Sequence, residues 1–590
     1  MCGICGEIVF DGVAANKETI AKMNDNMTRR GPEHGAVYTK GPIGFGHRRL
    51  KIIDLSDASN QPFVDEQLDL VLVFNGAIYN YKALREQLMQ KGYTFSSNGD
   101  TETILKAYHC WGEACVEKFN GMFAFVVYDA RNNTVFMARD RLGIKPLYYH
   151  RTDRHLVFAS SLPALLEADG IKKEISPRAL HYYMHFHAVV PAPDTMIQGV
   201  KKLSPGSTMT VKSNGETVET SYWSLDFSRD REEERYDFDD WKRLLSDTLM
   251  KAVKRRLVAD VPVGVLLSGG LDSSLIVGLL AHAGQKDIKT FSIGFESVGQ
   301  EKGDEFEYSD IIARHFATDH HKIQADAGLV LPNLPNCVQA MSEPMVSHDC
   351  IGFYLLSQEV AKYVKVVQSG QGADEIFGGY HWYPPMMESQ NPAVDYANVF
   401  CDRTHQEFCD IVHERFTDKD FSRDFIEQQF ALPGAKAAVD KALRMDATVM
   451  LVDDPVKRVD NMTMAASLEA RVPFLDHELV ELAAKIPPEM KISHGGKHIL
   501  KEAARDIIPA KVIDRPKGYF PVPALKYIRG KYYDFIKEIV ESPACKNRDI
   551  IQDDYINTLL AAPDAHITPL RGSKLWQVAL LEFWLQEHSV

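Results

Sequence analysis

The sequence is poor in several things, and each shortage removes a class of function. No apolar run in its 590 residues reaches the ~18–20 needed to cross a bilayer, so no membrane role is expected. Basic residues are not in surplus. A net charge of -14 argues against gripping nucleic acid, which needs excess Lys and Arg to neutralise phosphate. Cysteines are few, nine scattered from Cys2 to Cys545, an odd number without disulfide-like density, and reduced thiols in a cytoplasm fit best. No basic start followed by a long apolar stretch opens the chain, so no signal peptide is read. Internal repeats and low-complexity tracts are missing too.

What is present is an ordinary globular composition, 45% apolar and 25% charged, in a chain too long for one core. The first ~225 residues hold short β-type runs and turns. Leu70 to Phe74 reads as a strand ending at Asn75-Gly76, and Gly121–Asp129 with Thr134–Ala138 reads as a hairpin. Stacked antiparallel sheets are expected there. The polar run Ser228 to Asp240 marks a linker, giving domains over 1–225 and 241–590 with 226–240 between them. After it, Trp241, Leu244, Leu245, Thr248, Leu249 and Val253 recur at helical spacing. The apolar strand Val261–Leu267 then runs into a Gly-rich turn and a further helix from about Ser273, the start of an α/β nucleotide-binding unit. Beyond residue ~400 the apolar period is helical.

Cys2 directly follows the initiator Met, whose removal is expected and would free the Cys2 α-amine. A thiol of pKa ~8.5 beside an amine of pKa ~7.7–8.0 holds nucleophile and base in one residue. A redox or metal pair of Cys2 with Cys5 finds no second Cys/His pair at zinc spacing nearby.

Arg29-Arg30-Gly31-Pro32, Gly46-His47-Arg48-Arg49-Leu50, Asn75-Gly76-Ala77-Ile78-Tyr79-Asn80 and Gly99-Asp100-Thr101-Glu102 together resemble the class II glutaminases, N-terminal-nucleophile hydrolases, over residues 2 to about 200. The resemblance implies that Cys2 is the nucleophile. Arg49 would pair with the glutamine α-carboxylate, and Asp100 would hold its ammonium. The Asn75 amide and the Gly76 N–H would form the oxyanion hole. Ala77 stands where relatives usually carry Glu.

Ser268-Gly269-Gly270-Leu271-Asp272-Ser273-Ser274 is the strongest motif. Glycines admit an anion close to the backbone, N–H groups and a helix N-terminus point at it, and serines add donors. Asp272 offers oxygen to Mg²⁺. No Gly-Lys-Ser/Thr follows, so this is no Walker A loop. The motif resembles the PP-loop of ATP pyrophosphatases, which cleave ATP between the α- and β-phosphates. That resemblance implies Asp374, in Ser369-Gly370-Gln371-Gly372-Ala373-Asp374-Glu375, as the second magnesium carboxylate. It implies Leu266, Ile293, Ser369 and Gly370 around the adenine, and Lys497 on the phosphates. Arg471 also matches a family position, where direct catalysis and a buried ion pair both stand open.

A class II glutaminase followed by this PP-loop domain resembles the asparagine synthetase family over nearly the whole chain. Implied are an N-terminal-nucleophile sandwich followed by an α/β PP-loop domain with a helical C-terminal part. Implied too are ATP and Mg²⁺, small-molecule substrates, frequent homodimers, and an ammonia passage closed to water. Gln371 stands where these enzymes generally have a Glu thought to act as base. With Ser160–Leu165 and Phe186–Pro193 it resembles the N-acetylglutaminylglutamine amidotransferase subfamily, which amidates an acetylated dipeptide. Aspartate remains the alternative acceptor. Glu343 and His348 are candidates for the acceptor pocket or for a surface loop.

Overall fold

The structure, a computed structural model, describes residues 2–295, 304–516 and 528–590; Met1 lies outside them. The first half is a sandwich of two six-stranded sheets, one running β10 (Val200–Lys202), β8 (Tyr148–Arg151), β9 (His155–Ala159), β1 (Gly3–Val9), β3 (Ile43–Arg49), β2 (His34–Lys40), the other β12 (Thr217–Ser221), β11 (Ser207–Lys212), β7 (Thr134–Arg139), β6 (Gly121–Asp129), β5 (Leu70–Ile78), β4 (Phe63–Asp65), every pairing antiparallel.

Strand alternation builds the layers. Ile4, Phe45, Val71, Val73, Val126, Met137 and Phe158 turn inward and form the core between the sheets. On the opposite face Leu70, Leu72 and Phe74 join a second core under the helix Asp100–Trp111. Both faces of β5 are therefore buried, which is why Leu70–Phe74 reads as an unbroken apolar run instead of an alternating one.

The expected hairpin is present as β6 and β7. The strand before it is longer than the turn signal suggested. β5 continues to Ile78, with Asn75 opposite Ala124 and Gly76 opposite Phe123. Gly76 makes this possible. Its φ is +154°, and a Cβ there would lie 2.1 Å from the Met122 carbonyl oxygen, so only glycine keeps the strand closed at that point.

The second half carries a five-stranded parallel sheet, ordered β15-β14-β13-β16-β17, with β15 at Asp319–Ala325. Here β13 is Val263–Leu266, β14 Lys289–Phe295, β16 Val366–Gln368 and β17 Glu469–Arg471. Since β13 and β16 are neighbours, the loops leaving their C-terminal ends lie side by side, the usual location of a ligand crevice in such sheets. The rest is mostly helical, and the fold class read from the sequence holds. The charged run before this domain lies along its surface, with Phe227 N–H donating to the Gly434 carbonyl (2.8 Å) and Glu233 paired to Lys485 (2.5 Å). Its last residues are already helical. Asp237 and Asp240 form a capping box that starts the helix Phe238–Arg255, because short acidic side chains satisfy the unpaired N–H groups of a helix start.

The halves meet across buried charges. Asp460 pairs with Arg30 at 2.9 Å and with Lys145 at 3.1 Å. Lys202 reaches Glu343 at 3.0 Å and Asp453 at 2.6 Å. Glu343 is thus fully buried in an inter-domain ion cluster with Lys202 and Lys457. It sits in the connection between two helices, but it is buried there and does not line the cavity described below as the second site.

Two candidate active sites

The first site gathers where β1, β3 and β5 meet the helix Asp100–Trp111. Pairing of Gly3 with Arg48 sets Cys2 beside Arg49. A small cavity (≈ 30 Å³) is lined by Cys2, Arg49, Gln61, Gly76, Asp100 and, from the other domain, Glu469 and Arg471. That volume holds only one or two waters.

Asn75 is fully buried. Its Oδ1 accepts the Cys2 N–H at 3.1 Å, while its Nδ2 has no hydrogen-bond partner. A buried amide donor without a partner is costly unless something else uses it. Arg30 Nε donates to the Cys2 carbonyl at 3.2 Å, tying the nucleophile to Asp460 of the second domain. Burial pushes the Cys2 thiol up, opposed by the positive N-terminus, the Leu50 N–H and Arg49.

Asp100 is buried, and burial raises it to about 6 although its Oδ2 accepts the Ile78 N–H at 3.0 Å. A carboxylate held in so dry a place gains from a cationic partner. Arg49 is placed differently from expectation. It lines the cavity, but its Nη1 donates to Ser56 O and Asn60 Oδ1, both at 2.7 Å, and its Nη2 to Ile53 O and Asp54 O. Most of its donors hold the 53–60 loop, and a substrate carboxylate has to share them.

Arg471 is also a surprise. It belongs to this cavity and not to the larger one beside the parallel sheet. Fully buried, it donates through Nε to Glu469 (2.6 Å) and through Nη1 to the Arg256 and Val258 carbonyls, both at 2.8 Å. Burial raises Glu469, yet the N-terminal charge and Arg471 outweigh it and bring the carboxyl down to about 2. The buried-ion-pair reading of Arg471 is the one this geometry fits.

The second site is a cavity of ≈ 430 Å³ at the C-terminal ends of β13 and β16. Leu266, Ser268, Gly270, Asp272, Ser273, Ile293, Ser369, Gly370, Asp374 and Lys497 all line it. Gly269 lies just behind, at φ +76°, where a Cβ would sit 2.7 Å from the Ser309 nitrogen. Ser268 and Ser273 hydroxyls bond each other at 3.0 Å, and Ser268 Oγ accepts the Gly270 N–H. These contacts fold the loop over the start of the helix Leu271–His282, a ready anion cradle.

Lys497 reaches Asp272 Oδ2 at 2.7 Å and Asp374 Oδ1 at 3.0 Å. Burial lowers the ammonium, but the two carboxylates outweigh it and hold it well above its ordinary range. Two carboxylates converging across a phosphate-sized crevice, with a cation between them, are a donor set that suits a hard divalent ion.

Sequence reasoning missed several lining residues. Glu375, which ends the Ser369–Glu375 run and was given no role, accepts the Tyr380 hydroxyl at 2.7 Å, and both line the cavity. Asp349 lines the cavity while its neighbour His348 does not. Arg458 lines it too, from a helix with no sequence signal for a site.

Comparison with known sequences agrees with this two-site architecture. The family described as "Glutamine amidotransferase domain" matches residues 1–223, and that described as "Asparagine synthase" matches residues 244–586. "Asparagine synthetase [glutamine-hydrolyzing] 1" of Bacillus subtilis is 31% identical over 100% of this chain and 97% of its own length. A "Putative asparagine synthetase [glutamine-hydrolyzing]" of Mycobacterium tuberculosis (strain ATCC 25618 / H37Rv) is 34% identical over 90% of this chain and 88% of its own. "Amidase chry2" of Gibberella zeae is 27% identical over 93% and 92%. With a glutaminase-type Cys2 site in one half and an ATP crevice in the other, the chain belongs to the asparagine synthetase family and is a glutamine-dependent carbon–nitrogen ligase.

Proposed function

We propose that the chain adenylates the terminal carboxylate of N-acetylglutaminylglutamine with ATP and amidates it with nitrogen from glutamine. The observation that carries this reading is Gln371, which lines the ATP cavity between Gly370 and Gly372. A neutral amide there suits an acylated dipeptide, which carries no ammonium needing an anionic partner. Asparagine synthesis from aspartate is the second reading, favoured by the relatives' names.

In the first site the Cys2 thiol gives its proton to the α-amine once Met1 is gone, its sulfur attacks the glutamine amide carbon, and that proton then passes to the departing amide nitrogen. Asn75 Oδ1 holds that amine. Asn75 Nδ2 and the Gly76 N–H receive the oxyanion, Asp100 holds the substrate ammonium, and Arg49 meets the α-carboxylate. Ammonia leaves, and water releases glutamate from the thioester. In the second site the acceptor carboxylate oxygen attacks the α-phosphorus, and pyrophosphate departs. Lys497 and the Ser268–Ser273 cradle stabilise the charge, with Leu266, Ile293, Ser369 and Gly370 around the adenine. Asp272 and Asp374 would hold Mg²⁺, which supplies charge neutralisation on the phosphates when bound. Ammonia then attacks the acyl carbon and AMP leaves. We place the enzyme in the cytoplasm, acting on small molecules as a homodimer; no described helix is long and apolar enough to cross a membrane.

Pyrophosphate release with ATP, Mg²⁺ and glutamine decides between acceptors. Stimulation by the acetylated dipeptide is expected. Efficient amidation of aspartate with no response to the dipeptide would overturn the assignment.

A further inference from the structure

Away from both active sites, three segments distant in sequence bring metal-ligand side chains together. His181 lies on the helix Pro177–His185, His405 opens the helix His405–Ile411, and Asp420 caps the helix Phe421–Ala431. One ligand atom from each falls within 4.8 Å of the others. His181 Nε2 is 3.0 Å from His405 Nδ1 and 3.8 Å from Asp420 Oδ1. Tetrahedral zinc with Zn–N bonds near 2.0–2.1 Å sets neighbouring ligand atoms about 3.3 Å apart, and the two measured edges bracket that spacing.

We propose that His181, His405 and Asp420 form a divalent transition-metal site, of a kind suited to zinc, that staples the glutaminase half to the helical part of the synthetase half. His181 falls within the stretch matched by the amidotransferase family, His405 and Asp420 within that matched by the synthase family. One ion therefore bridges both halves.

The surroundings are those a metal-bound imidazole needs. Ser422 Oγ lies 3.0 Å from His181 Nδ1, fixing the ring with Nε2 toward the cluster. Cys409 Sγ lies 3.5 Å from His405 Nε2, which leaves Nδ1 as that ring's ligand atom. Asp420 Oδ1 also accepts the Arg423 N–H at 3.0 Å, and a carboxylate has further lone pairs to give.

A second observation points the same way. His185, one turn along from His181, stacks on it with centroids 5.0 Å apart. It is 5% exposed, and its Nδ1 has no hydrogen-bond partner. A fourth ligand or a metal-bound water would satisfy that atom. Asp420 is partly open to solvent, which gives an ion a way in. Two imidazoles and a carboxylate select zinc-like ions over Mg²⁺, which prefers oxygen ligands and water. The competing arrangement is a plain hydrogen-bonded pair of histidines.

The full-length reduced chain, stripped with EDTA, is titrated with Co²⁺ and then Zn²⁺. One cobalt per chain is expected, with the visible bands of tetrahedral nitrogen–oxygen coordination and no thiolate charge-transfer band. Zinc displaces it, magnesium does not, and zinc raises the melting temperature. In the double variant His181→Asn/His405→Asn the cobalt spectrum and the zinc-dependent rise both vanish, while glutamine hydrolysis continues and reports folding. Cys409→Ser keeps the spectrum. If the double variant fails to fold, Asp420→Asn decides, and as a direct ligand it should weaken cobalt binding by more than the about 10–100-fold that loss of an outer partner costs. Absence of bound cobalt in the wild type means a hydrogen-bonded histidine pair only. A spectrum unchanged in the variants, or one dominated by thiolate, likewise overturns the site.

Discussion

Replacing Asn75 with alanine removes two contacts from one buried point. The Nδ2 donor, which has no partner in the resting protein, is lost, and so is the Oδ1 acceptor 3.1 Å from the Cys2 nitrogen. Loss of one oxyanion donor typically lowers kcat by about 10²–10³, or about 2.7–4 kcal/mol. The hydrogen bond that positions the Cys2 nitrogen adds about 0.5–1.5 kcal/mol, for a total of about 3.2–5.5 kcal/mol. Because the donor acts on charge that develops only in the transition state, the loss falls on kcat and leaves KM for glutamine nearly constant. Glutamate release measures this effect. Pyrophosphate release driven by ammonium salt, measured on the same preparation, should be unaffected, since the synthetase cavity shares no lining residue with the first one. An unchanged kcat for glutamine hydrolysis would refute the oxyanion role. A parallel loss of ammonia-driven synthesis would show instead that Asn75 supports the fold of both halves.

Lys497→Met should lower ATP-dependent pyrophosphate release by at least about 10²-fold and spare glutamine hydrolysis, because its two partners, Asp272 and Asp374, lie in the second cavity. Asp460→Ala leaves Arg30 and Lys145 buried without their shared partner. It should cost about 3–5 kcal/mol, read as a lower melting temperature. Arg30 and Lys145 outweigh burial and hold Asp460 below its ordinary range, so in the wild type this contribution is complete above the usual carboxylate range and fades as pH falls through it. Asp100, raised to about 6 chiefly by burial, loses its charge as pH falls below that value. KM for glutamine should therefore climb between about pH 7 and about pH 5, and Asp100→Asn should abolish that slope along with tight binding.

What could be read in the sequence was local. The Ser268–Ser274 run is contiguous, and a Gly-rich turn between a buried strand and a helix shapes its own cradle. Asp374 and Gln371 sit in a second such run, so their place beside the first follows from parallel strand order. Cys2, Asn75 and Asp100 could be selected through their flanking motifs. Their convergence rests on strand register, with Gly76 permitting β5 to continue past the point where the sequence suggested a turn.

Other assignments depended on which face a residue turns to, and a short motif does not carry that information. For Arg471 the sequence left direct catalysis and a buried ion pair both open; β17, the edge strand next to β16, delivers it beneath the first cavity and beside Glu469. Glu343, which the sequence left open between an acceptor pocket and a surface loop, is buried and paired with Lys202, 141 positions away. His181 and His405, 224 positions apart, carried no joint signal at all. A motif records what neighbours along the chain can do together. Pairings across the domain boundary are decided by packing, because a buried charge or imidazole is tolerated only where folding brings it a partner.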